Sequence, residues 1–343
     1  MLKHVLFLVL LAANSLVAQN IQFSGTISGL ADENLSIQLP EDLFGTTWKK
    51  EIPVNGQGFT TDLNVPLSGW MQVGYKGKDR NFYLWKNASE LQLNFEADFL
   101  DDGVELKGDA ANIHRFADQV KEKFASKLMI QWLEEQAKDA SNIDAMEMDA
   151  FSVRNDVIFL LNKFDEELPE EFIKAYKNHV SYYYYLSLFK FSEVKTVKSS
   201  IPKATEIPKV LIEGLNWERM NMSLELDSEY FRELLVQYVA YKALENYDFM
   251  KFPDKASHIQ ESFNLARENL KGESLQYFLS KTMLANASAL QPSLLRQMRD
   301  FLAGTENSET MVRLVNDSLN TRLKAKDDEV PIEIVESSDQ DKI

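Results

Sequence analysis

From Ile21 to about Gly108, apolar and polar residues alternate with a period of two. Leu35, Ile37 and Leu39 interleave with Ser36 and Gln38, and the pattern recurs at Met71, Val73 and Tyr75 and at Leu91, Leu93 and Phe95. Phe82 with Leu84 and Val104 with Leu106 give shorter instances. Successive side chains of a strand point to opposite faces, so each run predicts a strand with one face in a core and one in water. The clusters GLADEN, KGKDR and KNASE separate these runs at spacings near those of a sandwich or barrel. Asn55-Gly56-Gln57-Gly58, set between two such runs, predicts a hairpin because Asn and Gly accept positive φ. The pattern predicts about eight short strands forming a small antiparallel β-sandwich over residues 20–108.

After Gly108 the period changes. Ile113, Phe116, Val120, Phe124, Leu128 and Trp132 step by three or four, the signature of one amphipathic helix. A second is expected over 141–168. A third starts at Leu168-Pro169-Glu170-Glu171, where Pro suits the first turn and the acids suit the positive helix end. It carries YYYYLSLFKF and is broken between Lys195 and Pro202. Asp227-Ser228 caps a fourth, whose Phe231, Leu234, Leu235, Tyr238 and Tyr241 share a face. Further helices are expected at 254–270, 272–287, 292–302 and 308–324, giving an all-α domain over 109–324 and an α+β, two-domain chain. No fixed repeat links these helices.

Composition narrows the function classes. The chain has 343 residues, enough for two cores, and a formal charge of −16 from 37 Lys plus Arg against 53 Asp plus Glu. Nucleic acid and anionic membrane surfaces call for a basic footprint, so neither is an expected partner. The first residues, MLKHVLFLVLLAANSLVAQN, carry an early Lys3, an apolar stretch from Val5 to Ala13 and then small and polar residues. This is the layout of a signal peptide over 1–18, with cleavage after Ala18 and a periplasmic or otherwise exported, soluble product. The stretch is shorter than the ~20 apolar residues of a membrane span, so no stable membrane anchor is expected after cleavage. There is no cysteine. Thiol redox chemistry, cysteine nucleophiles and thiolate metal sites are therefore excluded for this chain.

The β region opens FSGTISGLADENLSIQL, passes through IPVNGQGFTTDLNV and NFYLWKNASELQLNFE, and closes with GVELKGDAANIHRF leading into a helix. This order resembles the N-terminal domain of unknown function of exported thioredoxin-like thiol–disulfide oxidoreductases of Gram-negative envelopes. In that family a β domain and a helical segment precede a thioredoxin fold with a Cys-x-x-Cys pair. The redox domain and its cysteines are missing here. The resemblance implies a non-catalytic envelope module for interaction or positioning, with a protein partner or self-association, or a truncated oxidoreductase without its catalytic domain. Residues 325–343, which include VPIEIVESSDQDKI, then read either as an acidic tail or as the lead into the missing fold.

No residue is singled out as catalytic, cofactor-binding or metal-binding, and no cofactor is expected. His114, His179 and His258 lie on separate predicted helices, none spaced for a zinc helix, and read as packing histidines. Asp101-Asp102, Glu134-Glu135, Glu166-Glu167 and Glu170-Glu171 are sequence neighbours whose side chains diverge, unlike the facing carboxyls of a glycosidase. Tyr182 to Tyr185 sweep around a helix and read as a central helix buried on several sides. Trp48, Trp70 and Trp85 raise a third alternative, a glycan-binding β-sandwich that needs two coplanar exposed rings.

Overall fold

The computed structural model describes residues 20–29, 33–101 and 103–327. The signal-peptide reading of 1–18, the strand expected near Pro331 and Asp102 lie outside the described residues. The rest is α+β: eight strands in two four-stranded sheets, followed by ten α-helices. The chain divides into two compact units, one of residues 1–123 with 164–172 and one of 124–163 with 173–343.

In the first unit the strands are β1 (Asn20–Ser28), β2 (Leu35–Gln38), β3 (Lys49–Ile52), β4 (Gly58–Asn64), β5 (Gly69–Tyr75), β6 (Lys78–Leu84), β7 (Glu90–Glu96) and β8 (Glu105–Lys107). The alternating residues do what their period predicts. Ile37, Met71, Val73, Phe82, Leu84, Leu91, Leu93 and Phe95 are buried and belong to one core cluster drawn from both sheets. Two expectations need correction. The sheets run β4-β1-β7-β8 and β3-β2-β5-β6, and β1 pairs with β7 in parallel, so the first sheet is mixed rather than antiparallel. Parallel neighbours need a long connection, and β2 to β6, the whole second sheet together with β4, supply it. Asn55 and Gly58 do form a tight turn, each donating its N–H to the other's carbonyl, with Gly56 at φ +68°. It is not a hairpin, however, because β3 pairs with β2 and β4 pairs with β1. The turn carries the chain from one sheet to the other.

Helix α1 (Asp109–Phe124) completes this unit. The Asp109 carboxylate accepts from the N–H groups of Ser89 and Glu90 and from the Ser89 hydroxyl, pinning the helix start to β7. Phe116 meets Phe164 and Phe172 edge to face, and Arg115 reaches Glu166 at 2.5 Å, so the segment 164–172 is held on α1. The stripe expected to run on to Trp132 stops at Phe124. There Lys127 and Leu128 both donate to the Phe124 carbonyl and turn the chain.

The second unit contains α2 (Ile130–Asp139), α3 (Ile143–Lys163), α4 (Glu170–Lys198) from residue 173 on, α5 (Trp217–Met220), α6 (Glu229–Asn246), α7 (Lys255–Asn269), α8 (Gly272–Asn286), α9 (Pro292–Ala303) and α10 (Glu309–Asp327). The Ser228 hydroxyl accepts from the Phe231 N–H at the start of α6, and Phe231, Leu234, Leu235, Tyr238 and Tyr241 are all buried. From Leu186 to Ser192 every residue of α4 is buried, so α4 is central in its unit. Helix α5 and the short 3-10 turns at 209–211 and 223–227 give no period to read. Among the described residues no helix is long and apolar enough to cross a membrane.

Candidate partner-binding face

The tyrosine run on α4 explains how its unit is tied together. Tyr182 and Tyr183 are fully buried, and the Tyr183 hydroxyl donates to the Lys127 carbonyl at 3.0 Å. The Tyr184 hydroxyl donates to Glu147 at 3.1 Å, while the Tyr182 hydroxyl accepts from Arg219. The rings point to different sides of one buried helix, each with a polar partner for its hydroxyl. Burial pushes the phenols of Tyr182 and Tyr184 up to about 12.

The end of α4 is built differently. Pro202 has no N–H to continue the helix, and the chain turns back along it. The Thr205 N–H donates to the Thr196 hydroxyl, and the Ser192 hydroxyl donates to the Thr205 carbonyl. Residues 202–204 then lie antiparallel to 249–251: Ala204 N–H donates to Phe249 O and Lys251 N–H to Pro202 O. The end of α6 is shaped to meet them. Asp248 and Phe249 both have positive φ, +50° and +60°. Two successive left-handed residues without a glycine cost about 1–3 kcal/mol each. The geometry turns the Phe249 ring inward, 5.2 Å from Tyr241, and leaves its neighbour Met250 outside.

This short ribbon carries an apolar face. Val197 is 80% exposed, Ile201 63%, and Tyr247 and Met250 50% each. The charge here opposes that of the chain. Residues 195–204 hold Lys195, Lys198 and Lys203 and no acid, and Lys251 joins them across the ribbon. Lys203 is paired with Glu206 at 2.5 Å. The ammonium groups of Lys251 and Lys195 are held by carbonyls, those of Ser199 (2.6 Å) and Lys138 (3.3 Å). Among the described residues neither they nor Lys198 have a carboxylate at ion-pair distance. Asp248 is the acid within the ribbon itself. None of these residues stands out in the sequence as a site. The available signal was a ten-residue run with three lysines and no acid in a chain of charge −16.

The histidines are dispersed. His114 is buried, its Nδ1 accepting from the Tyr83 N–H at 3.0 Å, and desolvation pushes its pKa down to about 4. His258 bonds through Nε2 to the Ala240 carbonyl and stacks on Phe252. His179 places Nδ1 2.8 Å from the Ser228 hydroxyl, with the Tyr230 ring 4.4 Å away. Although this is a serine–histidine contact, the hydroxyl is occupied in capping α6 and the imidazole lies between Tyr176 and Tyr230. It locks two helices together. No group of three or more His, Asp or Glu placed to hold a metal occurs among the described residues.

The acidic pairs stay apart. Asp101 binds Lys78, Glu134 binds Lys190, Glu166 binds Arg115, and Glu170 and Glu171 open α4. Of the three tryptophans, Trp85 is buried against Phe172, and the Lys121 ammonium covers the Trp70 ring at 4.2 Å. Trp48 alone of the three is broadly exposed, at 58%, so Trp85 cannot join it in a surface platform. A cavity of about 350 Å³ beside α4 is lined by Asn178, Tyr182, Gly214 and Arg219. Its guanidinium lies over the rings of Tyr182 (5.0 Å) and Tyr185 (5.8 Å), and Asn178 donates to Glu225, whose carboxyl is raised by burial. These groups satisfy one another. No family model, no curated protein and no solved structure matches this chain.

Proposed function

We propose that this chain is an exported, non-catalytic module that holds a protein partner on the ribbon face at the ends of α4 and α6. In this reading it is related to the accessory N-terminal half of exported thioredoxin-like oxidoreductases, with the first unit a β-sandwich. The observation that carries the proposal is the exposed apolar set Val197, Ile201, Tyr247 and Met250, all in or beside the two segments that pair at Lys203 and Met250. Strain of this kind persists where surrounding structure over-determines it, and it concentrates at functional surfaces. Exposed apolar side chains in a cluster mark contact surfaces, whereas scattered ones do not. The signal-peptide layout supports export. With no thiol, the chain assists sulfur chemistry only by shape.

Two measurements test this. A photoreactive amino acid at Ile201, in the exporting cell, is expected to give one discrete protein adduct that Met250→Glu abolishes, while the same probe at exposed Glu122 gives none. Equal labelling at both positions would sink the proposed face. Purified protein is also expected to give no turnover in a disulfide-reduction assay, and turnover would remove the non-catalytic reading.

A further inference from the structure

The charge at this face names the chemistry of what binds it. We infer that the ribbon takes a short acidic segment of a partner protein, with apolar side chains among its carboxylates. This deepens the proposed function and rests on it. The chain as a whole carries a formal charge of −16, so an acidic segment is repelled by the chain in sum and finds unneutralised positive charge at this lysine-bearing stretch. Lys195, Lys198, Lys203 and Lys251 lie in or beside the paired segments, where the neighbouring acids are Glu193, which pairs with Lys190, together with Glu206 and Asp248. Only Lys203 of the four is paired with a carboxylate. Lys195 and Lys251 are anchored to backbone carbonyls, so their positive charges are fixed in place and remain unneutralised. Lys198 and Val197 are exposed neighbours at the last turn of α4, and Ile201 follows within the same stretch. A segment that laid apolar side chains on Val197, Ile201 and Met250 would bring its carboxylates among these ammonium groups. Such complementarity raises the association rate and excludes like-charged partners more than it adds affinity. The remaining surface, acidic in sum, opposes an anionic bilayer, so a peptide segment fits better than a membrane.

The test is fluorescence anisotropy with the full mature chain and two labelled peptides of equal length, one alternating glutamate with isoleucine and the other lysine with isoleucine. The acidic peptide is expected to bind, more weakly as salt rises, and the basic one to fail. Lys198→Glu, at an exposed position that leaves the fold alone, is expected to weaken binding at least about threefold, and Lys198→Arg to restore it. Equal binding of the two peptides, indifference to Lys198→Glu, or stronger retention on anionic phospholipid vesicles than on the acidic peptide would each overturn the inference. If photocrosslinking at Ile201 succeeds while charge reversal changes nothing, the acidic-partner inference falls and the binding face stands. If both fail, both fall.

Discussion

Replacing Gly25 with alanine is expected to cost the β unit more than about 3 kcal/mol, enough to leave it unfolded in mild denaturant. Gly25 lies inside β1, opposite Leu93 of β7 and Phe59 of β4. A methyl group there would sit 1.8 Å from the Leu93 carbonyl oxygen, 2.8 Å from its carbonyl carbon and 2.7 Å from the Phe59 ring. A ring edge yields, but a carbonyl held in a ladder does not. Relieving the contact means parting β1 from β7, and that parallel ladder runs from Gln22 to Ser28. The control is Gly56→Ala. Its φ of +68° strains any other residue, yet nothing lies within 4 Å of the added carbon. That substitution should cost only about 1–2 kcal/mol, the ordinary penalty of a left-handed residue. Urea titrations followed by fluorescence of buried Trp85 separate the two. If Gly25→Ala were no more damaging than Gly56→Ala, close approach of the strands would not be what fixes a glycine here.

The same comparison shows what periodicity reveals and what it hides. A period of two located all the core residues of β5, β6 and β7, because burial of one strand face depends only on alternation. Spacing by three and four after the Ser228 cap located α6, and α7 (Lys255–Asn269) falls within a residue of the expected 254–270; the Asp254 side chain that caps it was not read as a cap. Partner choice between strands was not legible. Asn55 to Gly58 looks like a hairpin because the local turn is one, but β4 pairs with β1, where Phe59 lies opposite Gly25, a partner far away in sequence. Helix α1 reads as the first of the helices, although its residues Asp109, Ile113 and Phe116 serve the β unit. The ribbon face was hidden for another reason. Ile201 and Met250 are almost fifty residues apart, and only the left-handed turn at Asp248 and Phe249 brings their strands together.

Acid is expected to destabilise both units as the pH falls below the ordinary histidine value of 6.5. His179 is pushed down to about 3, first by desolvation and then by the nearby Arg232 charge. His114 is pushed down to about 4 by desolvation, with Arg80, Arg115 and Lys121 reinforcing it and Asp118 opposing. His258 is lowered by burial as well. Each imidazole is therefore neutral in the fold and takes up a proton in the unfolded chain below its ordinary value of 6.5. Stability is fully present above 6.5 and falls with pH below it, until the folded-state values are reached. His179 and His114 each contribute a slope of about 1.4 kcal/mol per pH unit in that window, or about 2 kcal/mol by pH 5. Glu225 acts the other way, since burial raises its carboxyl and favours the protonated form. At the alkaline end, Tyr182, Tyr238 and Tyr241 ionise near 10 when unfolded and only near 12 when buried, so stability falls again above 10. His179→Asn isolates one contribution. An amide in place of the imidazole offers both a donor and an acceptor to the Ser228 hydroxyl that caps α6, but it does not titrate. Unfolding of the helical unit, followed by helical circular dichroism in urea between pH 7 and 5, should then lose one proton's worth of slope. An unchanged slope in that variant would mean that His179 is protonated in the fold, and that the contact with Ser228 is not the neutral one its surroundings require.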